Sequence, residues 1–467
     1  MIRLMKIPGL LLSIYAGLTA GQDGLVAAAV FNPDTFTLRN GMQVVVISNH
    51  RAPIVTHMVW YKVGSADEPP GKTGVAHFLE HLMFKATKNL RSGEFSRIVA
   101  RNGGQDNAFT SFDYTGYHQT VAAGRLEAVM RIEADRMRNL VIDAKEVEPE
   151  RQVVREERRS RTDNSPAAKL REQLNATIYL NYPYRNPIIG WDHEIVDLTV
   201  DDLRQFYDTY YWPNNAILVV AGDITADVLK PLAEKYYGAV PAGKVPPRIR
   251  PQEPPHNAAR TVTLRDPRVR QPSWQRAFFA PSRIYGDKQH SYSLEVLSKV
   301  FGGGTTSRLY RSLVIEQKLA LSAGSFYDAD QLGPSNFFIF VSPRPGVGMD
   351  QIENAIAAEI KKIRENGVSQ EELTRAKTGL QAEAVYARDS MDAGARVLGA
   401  ALSSGQTIAD VEAWPDRIAR VTADQIKASA NAVLRQKQSV TGYLLSGKSP
   451  PNHPQSNRPQ NSKVTRP

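Results

Sequence analysis

The chain of 467 residues contains no cysteine. This absence excludes disulfide bonds, a thiol nucleophile, thiolate ligands for zinc and a lipid-anchored N-terminal cysteine. It does not by itself identify the compartment in which the protein works. Any zinc site in this chain must therefore do without thiolate ligands.

Long hydrophobic runs are also missing after the N-terminus. At the N-terminus, basic residues precede an apolar stretch, Ile7 to Ala20, which is too short to span a bilayer comfortably. Small residues follow, and the three alanines 27–29 resemble a signal-peptidase site, with a cut after Ala20 as the alternative. We therefore predict a signal peptide over residues 1–29 and a periplasmic or secreted protein. An uncleaved membrane anchor is the other interpretation.

Runs of Lys and Arg with interleaved aromatic residues do not occur, and the net charge of +10 is mild for this length. We predict no nucleic-acid partner, because recognition of that kind leaves a concentrated basic patch. The surplus charge favours acidic peptides or an anionic membrane surface, or is simply solvated. After removal of the signal peptide, we expect no transmembrane segment.

The most informative feature present is the sequence His-Phe-Leu-Glu-His at residues 77–81. Apolar residues around it recur at helical spacing, which predicts an amphipathic helix. His77, Glu80 and His81 fall on the opposite face, where two residues four apart are neighbours that can share one metal ion. Glu80 is placed to take a proton from water, as in a zinc hydrolase. The alternative is a pair of solvent-facing histidines on a surface helix.

A catalytic zinc takes three protein ligands and keeps one position for water. A candidate third ligand, Glu157, lies in a charged segment that also contains Pro149, a residue suited to the first turn of a helix. Glu150 precedes Glu157 by two helical turns, so the two share a face. On this segment alone, Glu157 and the neighbouring Arg158 would be exposed charges on a solvated helix.

These residues resemble the pitrilysin/insulinase family of zinc metallopeptidases, the inverzincins, in which a glutamate ligand follows the His-x-x-Glu-His motif. The resemblance is to the shorter bacterial and mitochondrial-processing-peptidase-like branch. It covers most of the chain after the N-terminal stretch, and its further landmarks are residues 107–115, 182–190, 211–223 and 301–310.

The resemblance implies a role for each motif residue. His77, His81 and Glu157 would bind one Zn²⁺ per chain. Glu150, because it shares a helix face with Glu157, is a candidate to orient a ligand histidine. Glu80 would be the general base for water that the zinc activates. The function implied is an endopeptidase that hydrolyses peptides or unfolded segments in an enclosed chamber. The alternative is a non-catalytic assembly subunit of the same fold, although such relatives typically have a broken motif.

The predicted strand over residues 107–120 resembles the family's substrate-binding edge strand at its start. An edge strand offers free N–H and C=O groups to an extended peptide. The resemblance assigns this role to Asn107, Ala108, Phe109 and Thr110. On the sequence alone, these are ordinary sheet residues.

The chain also divides into two similar halves. Six prolines crowd residues 241–255, which predicts an extended linker. Residues 199–202 and 422–425 both resemble helix N-terminal capping boxes, and a strand follows each at the same distance. We predict an α+β fold of two similar domains, each a mostly antiparallel sheet packed with helices. The expected limits are 30–240 for the zinc-binding domain, 241–258 for the linker, 259–447 for the non-catalytic domain and 448–467 for a disordered tail.

The second half departs from the family pattern at two positions. Many members carry an Arg and a Tyr there that contact substrate near the zinc, whereas the matching residues here are Val314 and Leu321. The family's chamber needs four α+β units, and this chain supplies two. The resemblance therefore implies a heterodimer with a zinc-less homologous subunit that carries the Arg/Tyr pair. A homodimer is the runner-up, and replacement of the pair by Ser322 or Tyr327 is a third alternative.

Overall fold

The computed structural model of the protein describes residues 30–447. The predicted signal peptide over 1–29 and the predicted tail over 448–467 lie outside the described residues, so both stay predictions. Between residues 30 and 447, no helix has the length and apolar character needed to cross a membrane.

The first half is built on a six-stranded sheet. Its strands are β1 (Asp34–Thr37), β2 (Gln43–Ser48), β3 (Ile54–Tyr61), β4 (Gln105–Thr110), β5 (Thr115–Ala122) and β6 (Ala216–Gly222). They lie in the order β1-β2-β6-β3-β5-β4, which places β4 at an edge. Only β2 and β6 pair in parallel, and the other neighbours are antiparallel.

Eight α-helices lie in the described part of the first half. They are α1 (Val75–Leu82), α2 (Glu94–Arg101), α3 (Leu126–Asn139), α4 (Ala144–Arg158), α5 (Pro166–Ile178), α6 (Asp192–Asp197), α7 (Val200–Tyr210) and α8 (Ala226–Tyr236). Residues 241–258, the predicted linker, contain neither helix nor strand.

The second half repeats this plan with a five-stranded sheet. Its strands are β7 (Arg260–Asp266), β8 (Ser273–Ala280), β9 (Ala320–Tyr327), β10 (Ser335–Pro343) and β11 (Ser439–Ser446), in the order β7-β11-β8-β10-β9. Only β7 and β11 are parallel. The helices are α9 (Ser291–Gly302), α10 (Met349–Asn366), α11 (Gln370–Ala387), α12 (Ala393–Ser403), α13 (Ile408–Glu412), α14 (Trp414–Arg420) and α15 (Ala423–Val433).

The internal repeat holds at the level of single hydrogen bonds. Thr199 caps α7 by accepting from the N–H of Asp202 at 3.1 Å, and Thr422 caps α15 by accepting from the N–H of Gln425 at 3.2 Å. Each helix leads to the strand that pairs in parallel within its sheet, β6 or β11. The predicted fold of two similar, mostly antiparallel α+β domains is therefore confirmed.

The two halves exchange one helix each. Helix α5 of the first half packs on the second sheet, where Leu174 lies in one buried cluster with Ala277 and Val440. Helix α12 of the second half packs on the first sheet, where Leu398 lies in one buried cluster with Trp60. One face of each sheet is therefore covered by a helix of the other half.

Two local predictions were wrong. Residues 107–120 form two antiparallel strands rather than one, because the chain turns back after β4, where the N–H of Ser111 donates to the carbonyl of Tyr114 at 2.8 Å. Pro149 lies inside α4 rather than in its first turn. The helix begins earlier because Asp143 caps it, accepting from the N–H of Glu146 at 3.1 Å.

Candidate active site

Helix α1 carries the His-x-x-Glu-His motif and is fixed at its N-terminal end. Its apolar face is buried as predicted, with Phe78 and Leu79 fully inaccessible. The carboxylate of Glu68 accepts from the N–H groups of Gly74 and Ala76, both at 3.0 Å. These bonds satisfy donors that a helix start leaves free.

A buried arginine holds the other end of α1. The guanidinium of Arg136 donates to the carbonyl of Met83 at 3.3 Å and is paired with the buried carboxylate of Glu133. It also stacks 4.0 Å from the centre of the Phe95 ring. With both ends anchored, the outward face of α1 presents its polar side chains in a fixed direction.

The candidate ligands converge on one carboxylate oxygen. Glu157 Oε2 lies 3.0 Å from His81 Nε2 and 3.5 Å from His77 Nε2. One ligand atom from each of the three residues lies within 4.8 Å of the other two. Helix α4 thus brings Glu157 to the motif across a long separation in sequence.

This donor set fits zinc. Two imidazole nitrogens and one carboxylate oxygen are the three protein ligands of a type of catalytic zinc site that leaves one position open. His77 is 7% exposed, and its Nδ1 has no hydrogen-bond partner among the described residues. Behind His81, Glu150 Oε1 lies 2.9 Å from Nδ1, the type of contact that orients a ligand histidine.

The two histidines differ in their electrostatics. Burial lowers the pKa of His77 to about 4, so its imidazole is neutral at pH 7, as a metal ligand requires. Burial also lowers the pKa of His81, but hydrogen bonds to Glu150 and Glu157 outweigh this effect and raise the pKa to about 9 in the metal-free protein. Metal binding at His81 would therefore release a proton near neutral pH.

Glu80 lies next to the three candidate zinc ligands but is not one of them. Burial raises its pKa, although a hydrogen bond from the Thr110 hydroxyl at 2.5 Å acts in the opposite direction. A carboxylate whose pKa lies nearer to neutral holds a transferred proton more readily, which suits a general base. The hydroxyl of Thr110 also fixes where the carboxylate points.

The cleft in front of these residues has a volume of about 930 Å³, and strand β4 forms part of its wall. All four predicted substrate-contact residues line it: Asn107, Ala108, Phe109 and Thr110. Their side chains differ in their contacts. The ring centre of Phe109 lies 5.0 Å from that of Trp60, and the hydroxyl of Thr110 donates to Glu80. Because β4 is an edge strand, N–H and C=O groups on its outer side are available to pair with an extended peptide.

Three charged residues of the site were missed or misjudged from the sequence. Lys85 Nζ contacts Glu150, and Arg161 Nη1 lies 2.6 Å from Glu157 Oε1. Both basic residues stand four positions after a candidate zinc ligand, His81 or Glu157, a spacing that signals a shared helix face. Arg158, expected to be solvated, is 5% exposed and donates to Glu172 and to the carbonyl of Gly190, both at 2.8 Å.

We expect Gly190→Ala to destabilise the protein by about 3 kcal/mol, because the change combines a left-handed backbone with overpacking. Gly190 has a φ of +88°, and a Cβ there would lie 2.6 Å from Gly74 Cα, at the start of α1. Gly71→Ala is the matched control, because its φ is +78° and nothing lies within 4 Å of its Cβ position. It should cost only about 1 kcal/mol. Urea unfolding of both variants measures the difference, and equal losses would contradict the packing argument.

Two similar α+β halves, with the motif helix in the first half only, are the architecture of an insulinase-type peptidase. Residues 43–192 match the profile "Insulinase (Peptidase family M16)". Residues 197–380 match the profile "Peptidase M16 inactive domain". The chain therefore belongs to peptidase family M16, the pitrilysin/insulinase family, and the predicted family is confirmed.

Individual relatives agree with this assignment. The chain is 35% identical over 354 residues to the zinc protease PqqE of Helicobacter pylori, covering 75% of this chain and 79% of that protein. A solved protease from Helicobacter pylori has a TM-score of 0.83 at 31% identity, covering 88% of this chain and 99% of that one. The periplasmic protease PqqL from Escherichia coli shares the fold, with a TM-score of 0.76 at 21% identity; the match covers 88% of this chain and 47% of PqqL.

Proposed function

We propose that this protein is a zinc-dependent endopeptidase. The observation that carries the proposal is the convergence of His77, His81 and Glu157 within 4.8 Å. These three residues would hold one Zn²⁺ per chain, with Glu150 orienting His81. The names of the family and of its zinc-protease relatives support the same chemistry.

Each residue then has a defined task in hydrolysis. Zinc, when bound, supplies a Lewis acid that lowers the pKa of water to about 7 and polarises a carbonyl. Glu80 accepts the proton of the attacking water and returns it to the leaving amine. Strand β4 holds the peptide in an extended form through main-chain hydrogen bonds, which aligns one peptide bond with Glu80.

The test is metal analysis of the purified protein combined with peptide cleavage before and after chelation. We expect about one zinc per chain, as the three-ligand site requires. Cleavage should stop with the chelator and return with added zinc. The alternative function, a non-catalytic assembly subunit, requires no cleavage under any of these conditions. Cleavage that survives complete removal of zinc would contradict the proposal.

The second half supports a proposal about partners. Val314 is buried and Leu321 is half exposed, and neither side chain can donate a hydrogen bond to a reacting carbonyl. Tyr327 does not replace them, because its buried hydroxyl already donates to the carbonyl of Pro281 at 2.7 Å. Ser322 remains as a local substitute. We propose that a zinc-less homologous subunit with an Arg/Tyr pair completes an enclosed chamber, with a homodimer as the runner-up.

The partner proposal predicts weak hydrolysis by the purified chain alone. Adding the homologous subunit should raise turnover by about 100-fold, the scale of one restored transition-state donor. Gel filtration with activity assays on each fraction measures both association and turnover. The same mixture made with Glu80→Gln should stay inactive, which shows that the partner brings no site of its own. Full turnover by a monomer would refute the proposal.

We also propose that the mature protein is periplasmic or secreted, because the N-terminal sequence resembles a signal peptide. The expected N-terminus follows Ala29, or Ala20 if the alternative site is used. Mass spectrometry of protein from the native host identifies the terminus. An intact Met1 in the soluble cytoplasmic fraction would contradict export.

A further inference from the structure

The linker between the two halves is held in place by its side chains, since residues 241–258 contain neither helix nor strand. Two of its arginines, Arg248 and Arg250, are largely buried, with 18% and 10% of their side chains exposed. A buried guanidinium is stable only when acidic partners and hydrogen-bond acceptors surround it. Both arginines find such partners in the turn that follows strand β4.

This turn, residues 111–114, joins β4 to β5 and contains a buried carboxylate. Asp113 is 3% exposed and accepts hydrogen bonds from three directions. One comes from the hydroxyl of Tyr184, in a segment whose residues 185–189 line the cleft. The others come from the N–H of Leu332 at 3.1 Å, in the second half, and from Arg250 Nη2 at 3.3 Å. Asp113 therefore connects the end of β4 with the cleft wall, the second half and the linker.

The linker arginines add further connections. Arg248 Nη2 donates to the carbonyl of Asp113 at 2.6 Å, and Arg248 Nη1 donates to the carbonyl of Ser403, the last residue of α12, at 3.0 Å. Arg250 Nη1 lies 2.9 Å from Asp67 Oδ1, in the segment after β3. The turn after β4 is thus attached through the linker to both halves.

The charges in this cluster support one another. Burial raises the pKa of Asp113, whereas the hydrogen bond from Tyr184 and the charges of Arg250 and Arg248 act in the opposite direction. Burial lowers the pKa of Arg250, but the carboxylates of Asp67 and Asp113 outweigh this effect and raise it. Removal of Arg250 would leave two buried carboxylates with weaker compensation, and the attachment of the turn would loosen.

The position of this turn matters because β4 contacts the candidate general base. Thr110, the last residue of β4, donates to Glu80. Phe112, inside the turn, lines the cleft and stacks on Tyr184 with the ring centres 4.5 Å apart. An edge strand that is already fixed binds an extended peptide more tightly, because no ordering of the strand has to accompany binding.

We infer that Arg250 is a positioning residue for peptide binding, which acts through Asp113 to hold the edge of β4 in the conformation that a bound peptide requires. The linker is then part of the peptide-binding apparatus as well as the connection between the halves. The inference rests on the proposed peptidase function and identifies what prepares its substrate-binding strand.

The test measures binding of fluorescein-labelled β-casein, an unfolded protein, to the Glu80→Gln protein with and without Arg250→Met. Fluorescence anisotropy should show about 10-fold weaker binding, the scale of one net hydrogen bond lost between peptide and strand. Zinc content should stay the same, because the three candidate ligands lie on α1 and α4. With Glu80 intact, KM should rise by a similar factor while kcat stays nearly constant, because the bound peptide restores the strand before the reaction.

Arg276→Met is the matched control. It also removes a buried arginine, one that pairs with Glu353 on α10, and Arg276 is not among the residues that line the cleft. This variant should lower the free energy of unfolding without changing casein binding. Arg250→Lys keeps the charge and should restore part of the affinity. If Arg250→Met fails to fold, Tyr184→Phe removes one donor to Asp113 and should weaken binding in the same direction.

Casein binding that is unchanged by Arg250→Met and by Tyr184→Phe would overturn the inference, as would an equal loss in Arg276→Met. Absence of any casein binding by the Glu80→Gln protein would also overturn it. Hydrolysis by the wild-type chain separates the two proposals. Hydrolysis with unchanged binding in the variants would refute only the positioning role. Arg250-dependent binding by a zinc-loaded protein that does not hydrolyse casein would refute only the peptidase.

Discussion

Glu80→Gln is expected to lower peptide turnover by about 10²- to 10⁴-fold, the contribution of a general base, while the protein keeps its zinc. The amide has nearly the shape of the carboxylate and can still receive the hydrogen bond from Thr110. It cannot accept a proton from water at neutral pH. Because Glu80 is not one of the three converging groups, the ligand set stays intact.

The measurement is kcat for a quenched fluorescent peptide together with zinc content on the same preparation. Glu156→Gln is the matched control, because this carboxylate lies on α4 next to Glu157 and its side chain is 68% exposed. It should leave both quantities unchanged. Near-native turnover by Glu80→Gln would remove this residue from the mechanism, and loss of zinc would show that it is a ligand.

His77→Ala and Glu157→Gln are expected to lose stoichiometric zinc and, with it, activity. Each change removes one of three donors, and two remaining ligands do not hold zinc as a catalytic site does. Glu150→Gln should act more mildly, weakening zinc affinity by about 10- to 100-fold, because in our proposal Glu150 orients His81 and does not bind the metal.

Zinc titration against a competing chelator measures the zinc affinity of each variant. Circular dichroism of each variant distinguishes loss of the ligand from loss of the fold. A folded Glu157→Gln protein with one zinc per chain would refute the ligand set. If Glu150→Gln lost zinc as completely as His77→Ala does, Glu150 would have to be a ligand itself.

The sequence was sufficient for the parts of the site that depend on helical spacing. The motif at 77–81 has three polar residues on one helix face, so their direction followed from periodicity once an apolar face was recognised. Glu157 did not follow from local pattern, because a carboxylate on a charged helix is common. The resemblance to a family singled it out, and the packing of α4 on α1 then brought it to His81.

The supports of the site could not be predicted in the same way. Glu68 and Arg136 hold the two ends of α1, but neither stands at a helical spacing from the motif. Their contacts depend on how loops and α3 return to α1 in three dimensions. Lys85 and Arg161 were within reach of a spacing argument, since each follows a site residue by one turn.

The exchange of α5 and α12 between the halves likewise could not be predicted from the sequence. Both helices have apolar faces, and periodicity does not say which sheet an apolar face will cover. The exchange matters for function, because α5 forms a wall of the cleft and also lies against the second sheet. Helix α5 thereby joins the motif-bearing half to the second half.

The most direct test of the proposed function is an anomalous-diffraction map of Glu80→Gln crystals grown with zinc and a peptide substrate. We predict one zinc peak at about 2.0–2.2 Å from an imidazole nitrogen of His77, one of His81 and a carboxylate oxygen of Glu157. The peptide should lie extended along β4, with a carbonyl facing the metal. A zinc peak away from these three side chains, or a zinc-loaded crystal in which the peptide binds elsewhere, would contradict it.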